Sequence, residues 1–154
     1  MLILLLVANG TPVVLARVLG DVGARPIDGG RRWRDGRPIL GRSKTWRGLA
    51  GAVVATTAAG WVLGVAPWLA AAIGVTALVG DMASSFTKRR LAIASSGQAL
   101  GLDQVPESLL PALVAAGPLG LGVVDVVAVT VIFFVGELAL SQILYRLKIR
   151  DRPY

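Results

Sequence analysis

The chain of 154 residues contains no cysteine and no histidine. The first absence excludes a disulfide framework and thiolate metal clusters, and the second excludes imidazole base catalysis and His-ligated zinc. Charge is also scarce: charged residues make up 16% of the chain and hydrophobic residues 55%. Too little polar sequence remains to cover a soluble globule, and so apolar a chain does not stay disordered in water. The composition therefore predicts a single integral-membrane domain over residues 1–154.

Five apolar stretches predict an all-α bundle of five transmembrane helices. They cover residues 2–19, 49–63, 68–80, 109–124 and 126–144. Several are shorter than the roughly 20 residues that cross a bilayer, so polar flanks must complete each span. Buried helices of a soluble core are the alternative. The first stretch lacks a basic start and a cleavage motif, so we expect an uncleaved helix rather than a signal peptide.

The basic residues predict the orientation of the bundle. Of the 16 Lys and Arg, nine lie in residues 17–47, three in 88–90 and four in 146–152. These segments alternate with short connections that lack Lys and Arg. The positive-inside rule therefore predicts a multi-pass protein of the cell membrane with the N-terminus outside and the C-terminus and basic loops in the cytosol. A net charge of +7 placed this way favours anionic lipid and phosphate groups over nucleic acid as partners.

The first basic loop, residues 26–48, combines arginines with glycines. Glycine lets the backbone approach a ligand closely, and such turns can direct N–H groups at phosphate oxygens. Lys44 and Thr45 add a cation and a hydroxyl. The segment from Gly36 to Thr45 misses the P-loop spacing by about two residues, and no strand precedes it. Phosphate binding is favoured, while arginines that only hold the loop on lipid headgroups are the alternative.

Two aspartates border the second basic loop. Asp81 stands at the inner end of the third predicted helix and Asp103 at the entry to the fourth, so we expect them at similar depth. Two carboxylates at one level can hold Mg²⁺ against substrate phosphates. The alternatives are an ion pair of Asp81 with Lys88 or Arg89, and an N-cap role for Asp103.

Glu137 stands inside the fifth predicted helix. An ionisable side chain there is costly and usually faces a partner or a cavity. It is either a functional residue or a hydrogen-bonded packing residue, and we assign it no catalytic role.

In this order and spacing, the residues resemble the CDP-archaeol synthase family, a branch of the membrane CTP:lipid-phosphate cytidylyltransferases. The resemblance covers the whole chain and rests on Ala8-Asn9, Pro12-Val13, Pro26-Ile27-Asp28, Asp35-Gly36, Gly41, Lys44-Thr45-Trp46-Arg47-Gly48, Gly80-Asp81, Ser85-Phe86, Lys88-Arg89-Arg90, Asp103-Gln104, Tyr145, Leu147-Lys148-Ile149 and Pro153. It implies five helices with a cytosolic active site. It also implies that CTP and a lipid phosphate react, with Mg²⁺, to give a CDP-lipid and pyrophosphate.

On this basis we assign roles to the candidate residues. The nucleotide loop contributes Asp28, Asp35, Gly36, Gly41, Lys44, Thr45 and Gly48, with Lys44 and Thr45 at the phosphates of CTP. Asp81 and Asp103 hold Mg²⁺. Ser85, Lys88 and Arg89 bind the lipid phosphate or the departing pyrophosphate. The catalytic set is Lys44, Asp81, Lys88 and Asp103.

The chain departs from the family pattern at one place. Archaeal members continue Asp-Gln-x-Asp, whereas here Pro106 occupies the second acidic position and Glu107 follows. Glu107 is therefore a third candidate metal ligand. Both an archaeal ether lipid phosphate and an ester-linked phosphatidate remain open as substrates, and the oligomeric state is not predicted.

The chemistry suits a chain without histidine. A phosphomonoester is already an anion at neutral pH and needs no protein base, so catalysis rests on positioning and electrostatics. A CTP-dependent polyprenol or lipid kinase would use similar residues but transfer the γ-phosphoryl group. A small transporter or assembly subunit is a non-enzymatic alternative, but it would need a continuous polar path, and only Glu137 lies deep in the bundle.

Overall fold

The structure, a computed structural model, describes residues 1–94, 97 and 99–146, without the side chain of residue 144. It contains five helices: α1 (Leu2–Leu19), α2 (Trp46–Val62), α3 (Pro67–Arg90), α4 (Gln104–Leu119) and α5 (Val123–Arg146). In this part of the chain the only sheet-like pairings are two isolated β-bridges in the α1–α2 connection. The all-α prediction is confirmed. The family-like tail positions at 147–149 and 153 lie outside the described residues.

Three of the helices, α1, α3 and α5, are long and apolar enough to cross a membrane. The chain is thus a multi-pass membrane protein. With 17 and 16 residues, α2 and α4 extend over only about 25 Å, less than the roughly 30 Å hydrocarbon core. Five full crossings therefore stay a prediction. Trp61 and Trp68, which flank the α2–α3 turn, are exposed, as expected for rings in a headgroup layer.

The third helix is longer than the sequence predicted. It does not end at Gly80 but continues to Arg90, so the second basic loop does not begin at residue 80. The hydroxyls of this segment are accommodated inside the helix, since Ser84 donates to the Gly80 carbonyl at 2.9 Å. Its last turn carries Lys88, Arg89 and Arg90, which favourably face the negative end of the helix dipole. Asp81 consequently lies nine residues, about 13 Å, before the end of α3.

Glycines allow the central helix to pack closely on its neighbours. A Cβ on Gly60 of α2 would collide with Ala70 of α3. A Cβ on Gly80 would collide with the backbone of Pro106 and lie 2.7 Å from the Glu107 nitrogen. Small residues at such crossings are typical of membrane helix pairs, where association depends on close packing. The contact at Gly80 sets Asp81 and Glu107 at the same level of the bundle.

Candidate active site

The α1–α2 connection is a folded, hairpin-like loop. Near its base the Ile27 amide donates to the Lys44 carbonyl at 2.8 Å, and near its tip the Trp33 amide donates to the Arg37 carbonyl at 2.8 Å. Gly41 adopts a φ of 101°, a conformation that only glycine adopts without strain. The glycine-rich segment is therefore an ordered structure that holds Lys44 in one place.

Asp28 organises this loop from within. One of its carboxylate oxygens accepts from the Gly30 amide at 2.9 Å, and the other from the Leu40 amide at 2.9 Å and the Gly41 amide at 3.1 Å. Burial raises the pKa of Asp28, but these backbone hydrogen bonds outweigh it and hold the pKa below its ordinary value. The carboxylate that the sequence placed in the nucleotide site is engaged by the loop's own backbone.

Asp35 and Gly36 attach the tip of the loop to α3. The Asp35 carboxylate accepts from the Arg37 amide at 3.0 Å and from the Arg90 guanidinium at 2.8 Å. The Gly36 carbonyl accepts from Arg32 at 2.7 Å, and Arg37 donates to the Arg90 carbonyl at 2.6 Å. Arg37 and Arg90 thus join the loop tip to the end of α3, and Arg32 bonds within the tip, so each of these arginines has a partner in the protein.

Lys44 meets Asp81 across the space between the loop and α3. Its ammonium group lies 2.6 and 2.5 Å from the two carboxylate oxygens. We call this contact the inner pair. It lines a cavity of about 40 Å³ together with Thr45, Gly48 and Pro12. The structure thus brings together three loop residues and the helix aspartate that the sequence placed in one site.

Thr45 and Gly48 shape the loop side of this cavity. Thr45 is the N-cap of α2, and its hydroxyl accepts from the Gly48 amide at 3.1 Å. A Cβ on Gly48 would lie 3.2 Å from the Pro12 side chain, so a glycine lets α2 start directly against α1. The cap and the close contact fix Lys44, the residue before the N-cap.

Glu107 adds a second carboxyl group at the level of the inner pair. It is 7% exposed, and its carboxyl interacts electrostatically with Asp81, Glu137 and Lys44. Glu107 is therefore close enough to the inner pair and to Glu137 to be affected by their charges. The sequence left open whether Glu137 is a functional residue or a packing residue. It lies close to Glu107 because α5 packs against α4.

A second ion pair lies nearer the ends of the helices. The Lys88 ammonium is 2.6 Å from one oxygen of Asp103, and the other oxygen accepts from the Ala99 amide at 3.0 Å. We call the Lys88–Asp103 contact the outer pair. Asp103 precedes Glu107 by four residues, or about 6 Å of helix rise.

The prediction that Asp81 and Asp103 lie at similar depth is therefore wrong. The continuation of α3 beyond Gly80 sinks Asp81 into the bundle, and Asp103 stays at the start of α4. The two alternatives are not found either. Asp81 pairs with Lys44 rather than with Lys88 or Arg89, and Asp103 occupies the N-cap position without a capping hydrogen bond from its side chain.

Ser85 and Arg89, expected at the lipid phosphate or the pyrophosphate, are 4% and 5% exposed. They lie within the packed part of α3 rather than on its open surface. Sequence reasoning also gave no role to Asn9, whose side-chain nitrogen is buried and has no hydrogen-bond partner in the part of the chain that the structure describes. A polar residue inside the first apolar stretch was the available signal for it.

The comparisons of this chain with known protein families and sequences all give the same family. A model of the CarS-like family, described as CDP-archaeol synthase, matches residues 1–69 and 61–154. The curated CDP-archaeol synthase of Thermococcus onnurineus is 43% identical over 122 residues, which cover 72% of this chain and 68% of that protein. The CDP-archaeol synthase of Sulfurisphaera tokodaii is 34% identical over 157 aligned residues, covering 97% of this chain and 90% of that protein.

A solved structure is similar over most of its length. It was reported as an intramembrane enzyme for archaeal membrane lipids biosynthesis, and it matches with a TM-score of 0.73 and 34% sequence identity. The match covers 90% of each chain. Fold and sequence agree in these comparisons.

Proposed function

The chain belongs to the CarS-like CDP-archaeol synthase family, and from that premise we propose how its residues carry out the reaction. The family resemblance seen in the sequence is confirmed. The protein is a CTP-dependent cytidylyltransferase that converts a lipid phosphate into a CDP-lipid.

The inner pair is the observation that carries the proposed site. Lys44 and Asp81 meet on the wall of a cavity that Thr45 and Gly48 also line. The nucleotide phosphates bind here, with the Lys44 ammonium and the Thr45 hydroxyl on their oxygens. An oxygen of the lipid phosphomonoester attacks the α-phosphorus of CTP. The bond from that phosphorus to the bridging oxygen breaks, and pyrophosphate leaves as an anion that needs no proton.

The residues around the inner pair fit a divalent cation. The Glu107 carboxyl is buried and lies close to Asp81, and carboxylate oxygens are the ligands that Mg²⁺ prefers. Asp81 and Glu107 would hold Mg²⁺, which when bound supplies charge neutralisation to the triphosphate and the leaving pyrophosphate. In the described ranges no three acidic side chains are close enough to bind a metal alone, so phosphate and water complete the ligand set, as is usual for Mg²⁺.

Asp103 as a metal ligand stays a prediction from the sequence. Its two oxygens already accept from Lys88 and from the Ala99 amide. These contacts favour a positioning role at the α3–α4 connection. Lys88 then forms the cationic edge of the site, where the lipid phosphate or the departing pyrophosphate binds, and the buried Arg89 and Ser85 lie behind it.

We further propose an ether-linked isoprenoid lipid phosphate as the substrate, because the curated relatives are CDP-archaeol synthases. The basic loops and the C-terminus face the cytosol and the N-terminus lies outside, as the distribution of Lys and Arg predicts. In this orientation the site opens toward cytosolic CTP in the cell membrane.

Purified protein in nanodiscs tests the reaction with CTP labelled on either the α- or the γ-phosphate. We expect α-label in the lipid, γ-label in pyrophosphate and a requirement for Mg²⁺. Transfer of the γ-label to lipid would identify a kinase instead, and no transfer to any lipid phosphate would favour a non-enzymatic role. Parallel assays with an ether isoprenoid phosphate and an ester phosphatidate test the proposed lipid class.

A further inference from the structure

Asn9 of α1 carries a buried hydrogen-bond donor without a partner in the described part of the chain. Its side-chain nitrogen is shielded from solvent and has no acceptor among the described residues. A donor in this situation destabilises the folded chain, because its hydrogen bonds to water are lost and not replaced. Nearby, Thr11 shows that α1 can satisfy its own polar groups, since the Thr11 hydroxyl donates to the Val7 carbonyl at 2.6 Å.

The position of Asn9 relates this donor to the active site. Asn9 is four residues after Leu5 and three before Pro12, so the three lie on one stripe of the helix. Leu5 belongs to the buried cluster that contains Ala77 of α3. Pro12 lines the cavity of the inner pair. Asn9 therefore lies on the stripe of α1 that leads from the apolar core to the cavity, about one helical turn before Pro12.

We propose that the Asn9 amide donates a hydrogen bond to a phosphate oxygen of bound substrate at the floor of the Lys44–Asp81 cavity. The inference rests on the proposed location of the active site. Both CTP and the lipid phosphate carry the required acceptor, an anionic phosphate oxygen. Asn9 is a substrate-binding residue in this proposal and takes part in no proton transfer. The substrate supplies the acceptor that is missing among the described residues.

The test uses Asn9→Leu, which removes the donor and keeps a side chain of similar size. We expect kcat/KM to fall about 10- to 100-fold, the size expected for losing a hydrogen bond to a charged group. We also expect Tm to rise by about 3 °C, because the unsatisfied donor is gone. Separate KM values for CTP and for lipid phosphate show which of the two supplies the acceptor.

Thr11→Val is the matched control. It removes a polar group from the same helix, but one that is already satisfied, so kcat/KM should stay within about twofold of wild type. Asn9→Ala is a second variant for the case that leucine prevents folding. For it the readout is kcat/KM together with the rise in Tm that CTP and the lipid phosphate each produce, which should shrink for the substrate that supplies the acceptor.

Near-normal kcat/KM in Asn9→Leu, or a loss of activity accompanied by a lower Tm, overturns the proposal. The first result means that no substrate needs the donor, and the second that the amide has a structural role. Asp81→Asn distinguishes a wrong role for Asn9 from a wrong location of the active site. If Asp81→Asn is inactive while Asn9→Leu is fully active, the site stands and only the role of Asn9 is wrong.

Discussion

The inner and outer ion pairs have nearly the same geometry and different surroundings. Each joins a lysine to an aspartate at 2.5–2.6 Å, and all four side chains are less than a quarter exposed. The inner pair borders a cavity and lies close to the buried Glu107 carboxyl. The aspartate of the outer pair is also held by a backbone amide of the α3–α4 connection. An ion pair alone therefore does not identify an active site. The groups around the pair distinguish a proposed catalytic site from a contact that only stabilises the fold.

Neutralising the two aspartates separately should have the largest effect. Asp81→Asn should lower kcat about a thousandfold, because it removes both the proposed metal ligand and the partner of Lys44. Asp103→Asn should lower kcat less than about tenfold. Steady-state turnover of both proteins, with Tm as a check on folding, measures the difference. Equal losses in the two variants would contradict the assignment of different roles.

Lys44→Met tests the lysine of the inner pair. Losing a charge-assisted contact to the triphosphate should reduce kcat/KM for CTP about 100-fold. Lys88→Met is the matched control at the outer pair and should affect CTP less than the lipid phosphate. An unchanged dependence of the Lys44→Met rate on CTP concentration would remove the loop from the nucleotide site.

Glu107→Gln asks whether the second carboxyl group completes the metal site. The Mg²⁺ concentration for half-maximal rate should rise about tenfold, the usual effect of weakening a ligand set. Glu107→Asp should restore part of the affinity, because it keeps the carboxylate. An unaltered Mg²⁺ requirement in Glu107→Gln would show that Glu107 does not bind Mg²⁺ together with Asp81.

Exchanging the lysine and the aspartate within each ion pair tests whether the two pairs have different roles. The double substitution Lys88→Asp with Asp103→Lys keeps an ion pair at the outer position, so it should recover most of the roughly 1 kcal/mol that either single change costs in stability. The same exchange at Lys44 and Asp81 should not recover turnover, because a metal ligand has been replaced by a cation. Tm and kcat of the four single and two double variants test this.

The smallest effect is expected from Asp28→Asn. The change weakens three loop hydrogen bonds and should raise KM for CTP about threefold. Because the pKa of Asp28 is lowered in the folded chain, its contribution to stability is present above the unfolded pKa of about 4 and is lost as pH falls through the lower folded value. Between pH 5 and 8 the loop of the wild type should therefore not respond to pH, and a KM that changes with pH only in the wild type would contradict this.

The sequence was sufficient for the helical class and the basic loop, and it placed Lys44 and Asp81 in one site without predicting that they form an ion pair. Hydrophobic runs and charge placement depend on local composition, which a linear pattern reveals. The depth of Asp81 was mispredicted because residues 81–90 are polar and resemble a loop, whereas packing against α4 and satisfied hydroxyls keep them helical. The tertiary neighbours of Glu107 and Glu137 also depend on which helix faces lie together, and one sequence does not determine that.

The contact at Gly80 has a consequence for how the enzyme responds to its host membrane. Since α3 at Gly80 packs directly on the backbone of α4 at Pro106, close packing sets the distance between the backbone positions of Asp81 and Glu107. A thicker or thinner bilayer would tilt the two helices as one rigid body and leave the carboxyl groups in register. Two helices packed in this way allow the lipid-facing residues to vary while the spacing of the acidic groups is preserved.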